Sequence, residues 1–76
     1  MSRAKQFTAA QGSGNTIKIF DASTGQLCRL ITTGGRILSP PIASGGTVVV
    51  TVEEGGVSYI KTYSLPSGGQ TSKVAV

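Results

Sequence analysis

Apolar and polar residues alternate along most of this chain with a period of two, the spacing of a strand that buries one face. Thr16 to Phe20 sets Ile17 and Ile19 on one face and Thr16, Lys18 and Phe20 on the other. Gln26 to Thr32 reads as a second strand, and its Leu27, Cys28, Leu30 and Ile31 fall on both faces, so it is either sandwiched or covered by another subunit. Thr47-Val-Val-Val-Thr-Val52 is the strongest β signal, rich in branched side chains on both faces. Val57 to Tyr63 and Gln70 to Val76 complete the pattern. A helical reading fails, because no window keeps apolar residues at i, i+3, i+4 and i+7 for more than a turn without meeting Gly or Pro. The expected class is all-β: small antiparallel sheets of about six short strands.

Turn chemistry punctuates these strands. Gly-Gly pairs begin at residues 34, 45, 55 and 68, so successive pairs are 11, 10 and 13 residues apart, the rhythm of short strands joined by hairpins. Asp21-Ala-Ser-Thr-Gly25 has its own means of reversing the chain, since Asp accepts hydrogen bonds from amides further along and Gly takes positive φ. Pro40 and Pro41 cannot donate to a ladder, and belong at an edge, a strand start or a bend. Residues 1–15 are polar and small, ending in Gly12-Ser-Gly14-Asn15, and read as a flexible arm, either free or docked on a neighbour through Phe7.

One motif occurs twice. Ile17-Lys-Ile-Phe-Asp-Ala-Ser-Thr-Gly-Gln26 returns, altered, as Ile60-Lys-Thr-Tyr-Ser-Leu-Pro-Ser-Gly-Gly-Gln70, and subtracting Ile17 from Ile60 gives a period of 43 residues. That period falls among the repeat lengths of propeller blades. The stretch Ser39-Pro-Pro-Ile-Ala-Ser-Gly-Gly-Thr-Val-Val-Val, the strand Tyr59-Ile-Lys-Thr-Tyr63 and the Asp21 to Gly25 turn together resemble a β-propeller blade of the quinoprotein or WD-repeat kind, over about residues 16–76. The resemblance implies a propeller-blade-like meander, with residues 16–32 as half a blade and 36–76 as a whole one. The chain departs from those families in having no Trp after Gln26 or Gly69 and no Gly-His pair, so no cofactor site carries over.

Composition narrows function more than it names it. A chain of 76 residues buries only about 60–65% of its unfolded surface, a marginal core. Cys28 is alone and His is absent, so neither a disulfide nor a metal supplies the missing stability, and association with other chains remains. Acid–base catalysis has little to work with in three carboxylates, Asp21, Glu53 and Glu54, and the last two read as a solvated turn. Cys28 reads as a small buried apolar residue, and Lys18 and Lys61, at the same repeat position, as facing solvent. The net charge of +4 is scattered over Arg3, Lys5, Lys18, Arg29, Arg36, Lys61 and Lys73, without the gathered cations and stacking aromatics of a nucleic-acid face.

No apolar run is long enough to span a membrane, and none comes after the cations of the first residues, so the expectation is synthesis in the cytoplasm without a membrane partner. The chain also resembles small Gly-rich accessory proteins of tailed-phage virions in size and kind. The expected function is therefore that of a noncatalytic structural protein, located in a virion or otherwise in the cytoplasm, forming a homo-oligomeric ring or decorating a larger assembly. No catalytic, cofactor or metal residues are expected. Phe7, Phe20, Leu27, Ile31, Val49, Tyr59, Tyr63 and Val74 are the candidates for burial across chains. The alternative is an adaptor that binds a protein or a polyanion such as DNA through its cations.

Overall fold

Paired Gly-Gly turns set the frame of the larger of two sheets. The structure is a computed structural model, and it describes residues 6–76. Gly45 and Gly46 have φ of +57° and +81°, and Gly55 and Gly56 of +57° and +82°. Two successive positive φ values are what a two-residue type I′ hairpin requires, and glycine meets them without a Cβ clash. The turns join β5 (Ile42–Ser44) to β6 (Thr47–Glu54) and β6 to β7 (Val57–Ser64), with Ser44 opposite Thr47 and Glu54 opposite Val57.

β8 (Gln70–Ala75) pairs with the far side of β7, and β4 (Arg36–Ile37) lies beside β6 next to β5. The prolines explain why β4 and β5 are separate. Ile37 pairs with Val52 and Ile42 with Val49, so this strand takes five steps where β6 takes three, and Pro40 and Pro41 occupy the excursion.

The smaller sheet has the order β1 (Phe7–Gln11), β2 (Thr16–Asp21), β3 (Leu27–Thr32). All pairings in both sheets are antiparallel, so the all-β expectation holds. Among the described residues the strands number eight, because one expected strand is split in two and because part of the expected arm is itself a strand. Residues 7–11 pair in full with β2, from Phe7 opposite Asp21 to Gln11 opposite Ile17. Their side chains carry little β signal; the ladder on β2 and the packing of Phe7 and Ala9 against the core hold them in place. Residues 1–5, with Arg3 and Lys5, lie outside the described residues.

The two sheets share one core. Ile17, Ile19 and Ile31 come from the first; Ile37, Val48, Val50, Val52 and Tyr63 from the second, with Leu65 just beyond β7. Each such side chain contributes about 1.5–3 kcal/mol when buried. The connection Thr33-Gly34-Gly35 runs tightly between the sheets, and a Cβ on Gly35 would lie 2.5 Å from the Glu53 carbonyl oxygen. Only glycine permits that approach.

Candidate interaction surfaces

The repeat seen in the sequence has a backbone counterpart of unusual fidelity. In the β2–β3 hairpin the pairs are Thr16 with Thr32, Ile17 with Ile31, Lys18 with Leu30, Ile19 with Arg29 and Phe20 with Leu27. In the β7–β8 hairpin they are Tyr59 with Ala75, Ile60 with Val74, Lys61 with Lys73, Thr62 with Ser72 and Tyr63 with Gln70, each 43 residues later. The register shift recurs as well, at Ile19/Phe20 and at Thr62/Tyr63. So do the turns. Gly25 N–H donates to Asp21 O at 2.7 Å and Gly68 N–H to Ser64 O at 2.6 Å, with φ of +76° and +80°. After the hairpins, Thr33 N–H donates to Asn15 O and Val76 N–H to Ser58 O, again 43 residues apart.

The two hairpins nevertheless bury opposite faces. Ile17 and Ile31 are 0% and 4% exposed, while their counterparts Ile60 and Val74 are 38% and 58% exposed. Conversely Lys18 is exposed and Lys61 buried, and Tyr63 is buried where Phe20 is half-buried. Two units that present unlike faces to one contact are stacked in the same sense, not paired about a two-fold axis. Each sheet therefore keeps one outer face. On the first sheet it carries Phe20, Leu27 and Leu30; on the second, Ile42, Val49, Ile60 and Val74.

The chain matches no protein-family model, no curated protein and no solved structure. Its surfaces have to be read from their own residues.

The eight residues singled out in the sequence divide three ways. Ile31 and Tyr63 are in the protein's own core, and Phe7 and Tyr59 pack against it, so these four serve the internal sheet contact. Phe20 and Leu27 belong to the outer face of the first sheet, and Val49 and Val74 to that of the second. Leu30, Ile42 and Ile60, 56%, 67% and 38% exposed, join them on those faces. Strand alternation carried the signal for Ile60, since it shares a face with Val74 across the ladder. Leu30 is opposite Lys18, on the face away from the core.

Lys61 does not face solvent. Its ammonium, buried between the sheets, donates to Thr33 O at 2.6 Å and to a carboxylate oxygen of Glu54. The other Glu54 oxygen accepts from Lys73 Nζ at 2.9 Å, and Lys73 lies 4.3 Å from the centre of the Tyr59 ring, a cation–π distance. Glu54 is thus no solvated turn residue. Hydrogen bonds from Lys61 and then Lys73 hold its carboxyl below the usual value, and the bond to Glu54 raises Lys73. Glu53 accepts from Arg36 at 2.8 Å, and Arg29 Nε donates to Pro66 O at 2.7 Å.

Of the five described cations, Lys18 is left with no partner. Burial, with the charge of Glu54 second, raises the Tyr63 phenol, whose buried oxygen has no hydrogen-bond partner. Cys28 is exposed, not buried, because it alternates with Leu30 on the side of β3 away from the core. Among the described residues no three of His, Cys, Asp and Glu gather as a metal site would need. A cleft of about 410 Å³ lies between Gln6–Phe7 and the Ser44–Gly46 turn, floored by Leu65, and among the described residues no titratable side chain lines it.

Proposed function

We propose that this protein is a noncatalytic structural subunit that works by stacking its exposed sheet faces on other chains. The observation that carries this reading is the pair of outer faces: Leu27 and Leu30 on one, Ile42, Ile60 and Val74 on the other, each more than a third exposed. Branched residues on an open strand face can reflect β propensity alone. On β3, Leu27 lies opposite Phe20 and with Leu30 makes an exposed apolar patch, and a patch is informative where a single exposed leucine is not. The ionisable groups support the reading from the other side: Glu53, Glu54, Arg36, Lys61 and Lys73 are engaged with one another, and none is arranged toward a cleft.

We read the 43-residue unit as a propeller-type blade and the chain as fewer than two such blades, so that a closed structure takes strands or sheets from further chains. A phage virion is the setting we attach to such a subunit, on its resemblance in size and composition to small virion accessory proteins. A polyanion-binding adaptor has less support, since of the described cations Lys18 alone is uncommitted.

Light scattering over a range of protein concentration and salt tests the reading. An oligomer that persists in high salt is expected, because the contact is apolar. A monomer at every concentration that binds DNA at low salt would overturn it in favour of the adaptor.

A further inference from the structure

We infer that copies of this protein associate head to tail, the outer face of the second sheet of one copy receiving the outer face of the first sheet of the next, in the geometry of the protein's own internal sheet contact. The inference rests on the reading of the protein as an assembling subunit, and it specifies which surfaces meet and that they are unlike.

The internal contact supplies the template. There the Ile17, Ile19 and Ile31 face of the first sheet meets the Lys61 and Tyr63 face of the second. By the 43-residue correspondence, the first of these faces recurs, outward, as Ile60, Thr62 and Val74, and the second recurs, outward, as Lys18 and Phe20. Over the repeated hairpins, each outer face is thus a version of one half of an interface the protein already makes, with Thr8 and Ala10 of β1 standing where β6 has Val48 and Val50. Bringing the two together in a second copy continues the internal stack without a change of rule.

The polar detail is consistent with this. Lys61 is held by the carbonyl of Thr33, and the residue that corresponds to Thr33 is Val76, whose N–H repeats the Thr33 hydrogen bond. In the continued stack, Lys18, the one described cation without a partner, falls where Lys61 falls and meets the Val76 carbonyl of the neighbouring copy. Lys73, which pairs with Glu54 inside the protein, corresponds to Leu30, and the first sheet holds no acid in the place of Glu54. Both members of that ion pair are missing together, so neither leaves the other unpaired. A twofold pairing of like faces would instead set Lys18 of one copy toward Lys18 of the other, like charges that repel.

The footprint sets the strength. The first sheet, three strands of five or six residues, spans roughly 14 by 20 Å, or about 300 Å² of sheet plane. That is well below the ~800 Å² per partner of a standard interface. Inside the protein the short Thr33 to Gly35 tether compensates by effective concentration. Between copies, one contact is weak, and association appears at high protein concentration or when a ring closes.

The test uses two full-length variants, Ile60→Glu to block the second-sheet face and Leu30→Glu to block the first-sheet face, with Ile60→Ser and Leu30→Ser as milder versions should a charge disturb folding. Circular dichroism checks the fold, and sedimentation at millimolar concentration gives the mass. The wild type is expected to exceed a dimer, each variant alone to be monomeric, and the two variants mixed to give a one-to-one dimer and nothing larger. Self-association of either variant alone, or a mixture that stays monomeric while the wild type assembles, overturns the head-to-tail mode and leaves the assembly reading standing. A wild type that is monomeric at millimolar concentration overturns the assembly reading itself.

Discussion

The β2–β3 and β7–β8 hairpins are two answers to one backbone problem. They share every pairing, the same bulge and the same turn hydrogen bonds, yet one buries its isoleucines and the other its lysine and tyrosine. The difference teaches that a hairpin's conformation and its choice of buried face are set by different things. The turns are closed locally, by Gly25 N–H on Asp21 O and Gly68 N–H on Ser64 O, and each takes one further bond from outside, Ala22 N–H to Gln6 O and Leu65 N–H to Gly46 O. The buried face is a relation between units, decided by which side the other sheet occupies. Lys61 can lie inside because a carbonyl from the connection and a carboxylate from β6 accept hydrogen bonds from its ammonium. Lys18, on the identical backbone, has neither.

The sharpest way to break this comparison is to truncate the same residue type at the same repeat position. Ile17→Ala should cost about 2–5 kcal/mol in denaturant unfolding, whereas Ile60→Ala, on the outer face, should cost less than about 1 kcal/mol in the dilute protein. Equal costs would mean that the two hairpins are buried alike. The lysines come next. Lys61→Ala leaves the Thr33 carbonyl without its donor and should cost about 1–3 kcal/mol, while Lys18→Ala should leave the unfolding midpoint unchanged.

Acid gives a smaller and more gradual effect. The Glu54 carboxyl is held below its unfolded value, so its contribution is complete above the ordinary carboxylate range and is lost as pH falls through the lowered folded value. Glu54→Gln should flatten that part of a stability-against-pH profile, and a profile as steep as the wild type's would remove Glu54 from the explanation. The smallest effect is expected at Tyr63→Phe. Its hydroxyl is buried without a partner, so removing the oxygen should be neutral or slightly stabilising in thermal unfolding, and a loss above about 1 kcal/mol would reveal a hydrogen bond to that oxygen.

Much of this architecture is legible in the chain because it is written in turns and alternation. The Gly-Gly pairs at 45 and 55 mark two hairpin tips, the two prolines mark the break between β4 and β5, and the repeat of Ile17 at Ile60 marks two hairpins of one register. β1 is not legible, since Thr8-Ala-Ala-Gln11 has small or polar side chains and owes its conformation to pairing with β2. The burial of Lys61 is hidden for a different reason: its partners Thr33 and Glu54 are distant or on another strand, and nothing next to Lys61 announces them. Of the eight residues picked for surfaces, the four that serve the internal contact instead were chosen for size and apolarity, which suit a core as well as an interface. Cys28 is open for a simpler reason: it alternates with Leu30, on the side of β3 away from Ile31, and Leu27 is the residue that the bulge moves to the face of Phe20.

The most direct measurement is methyl NMR of the isoleucines with a soluble paramagnetic agent, in dilute and in concentrated protein. In the dilute sample Ile17 should be protected and Ile60 attenuated, despite their equivalent backbones, and on concentration Ile60 should gain protection as its face is covered. Equal attenuation of Ile17 and Ile60 in the dilute protein would contradict the opposite-face arrangement on which the head-to-tail stack depends.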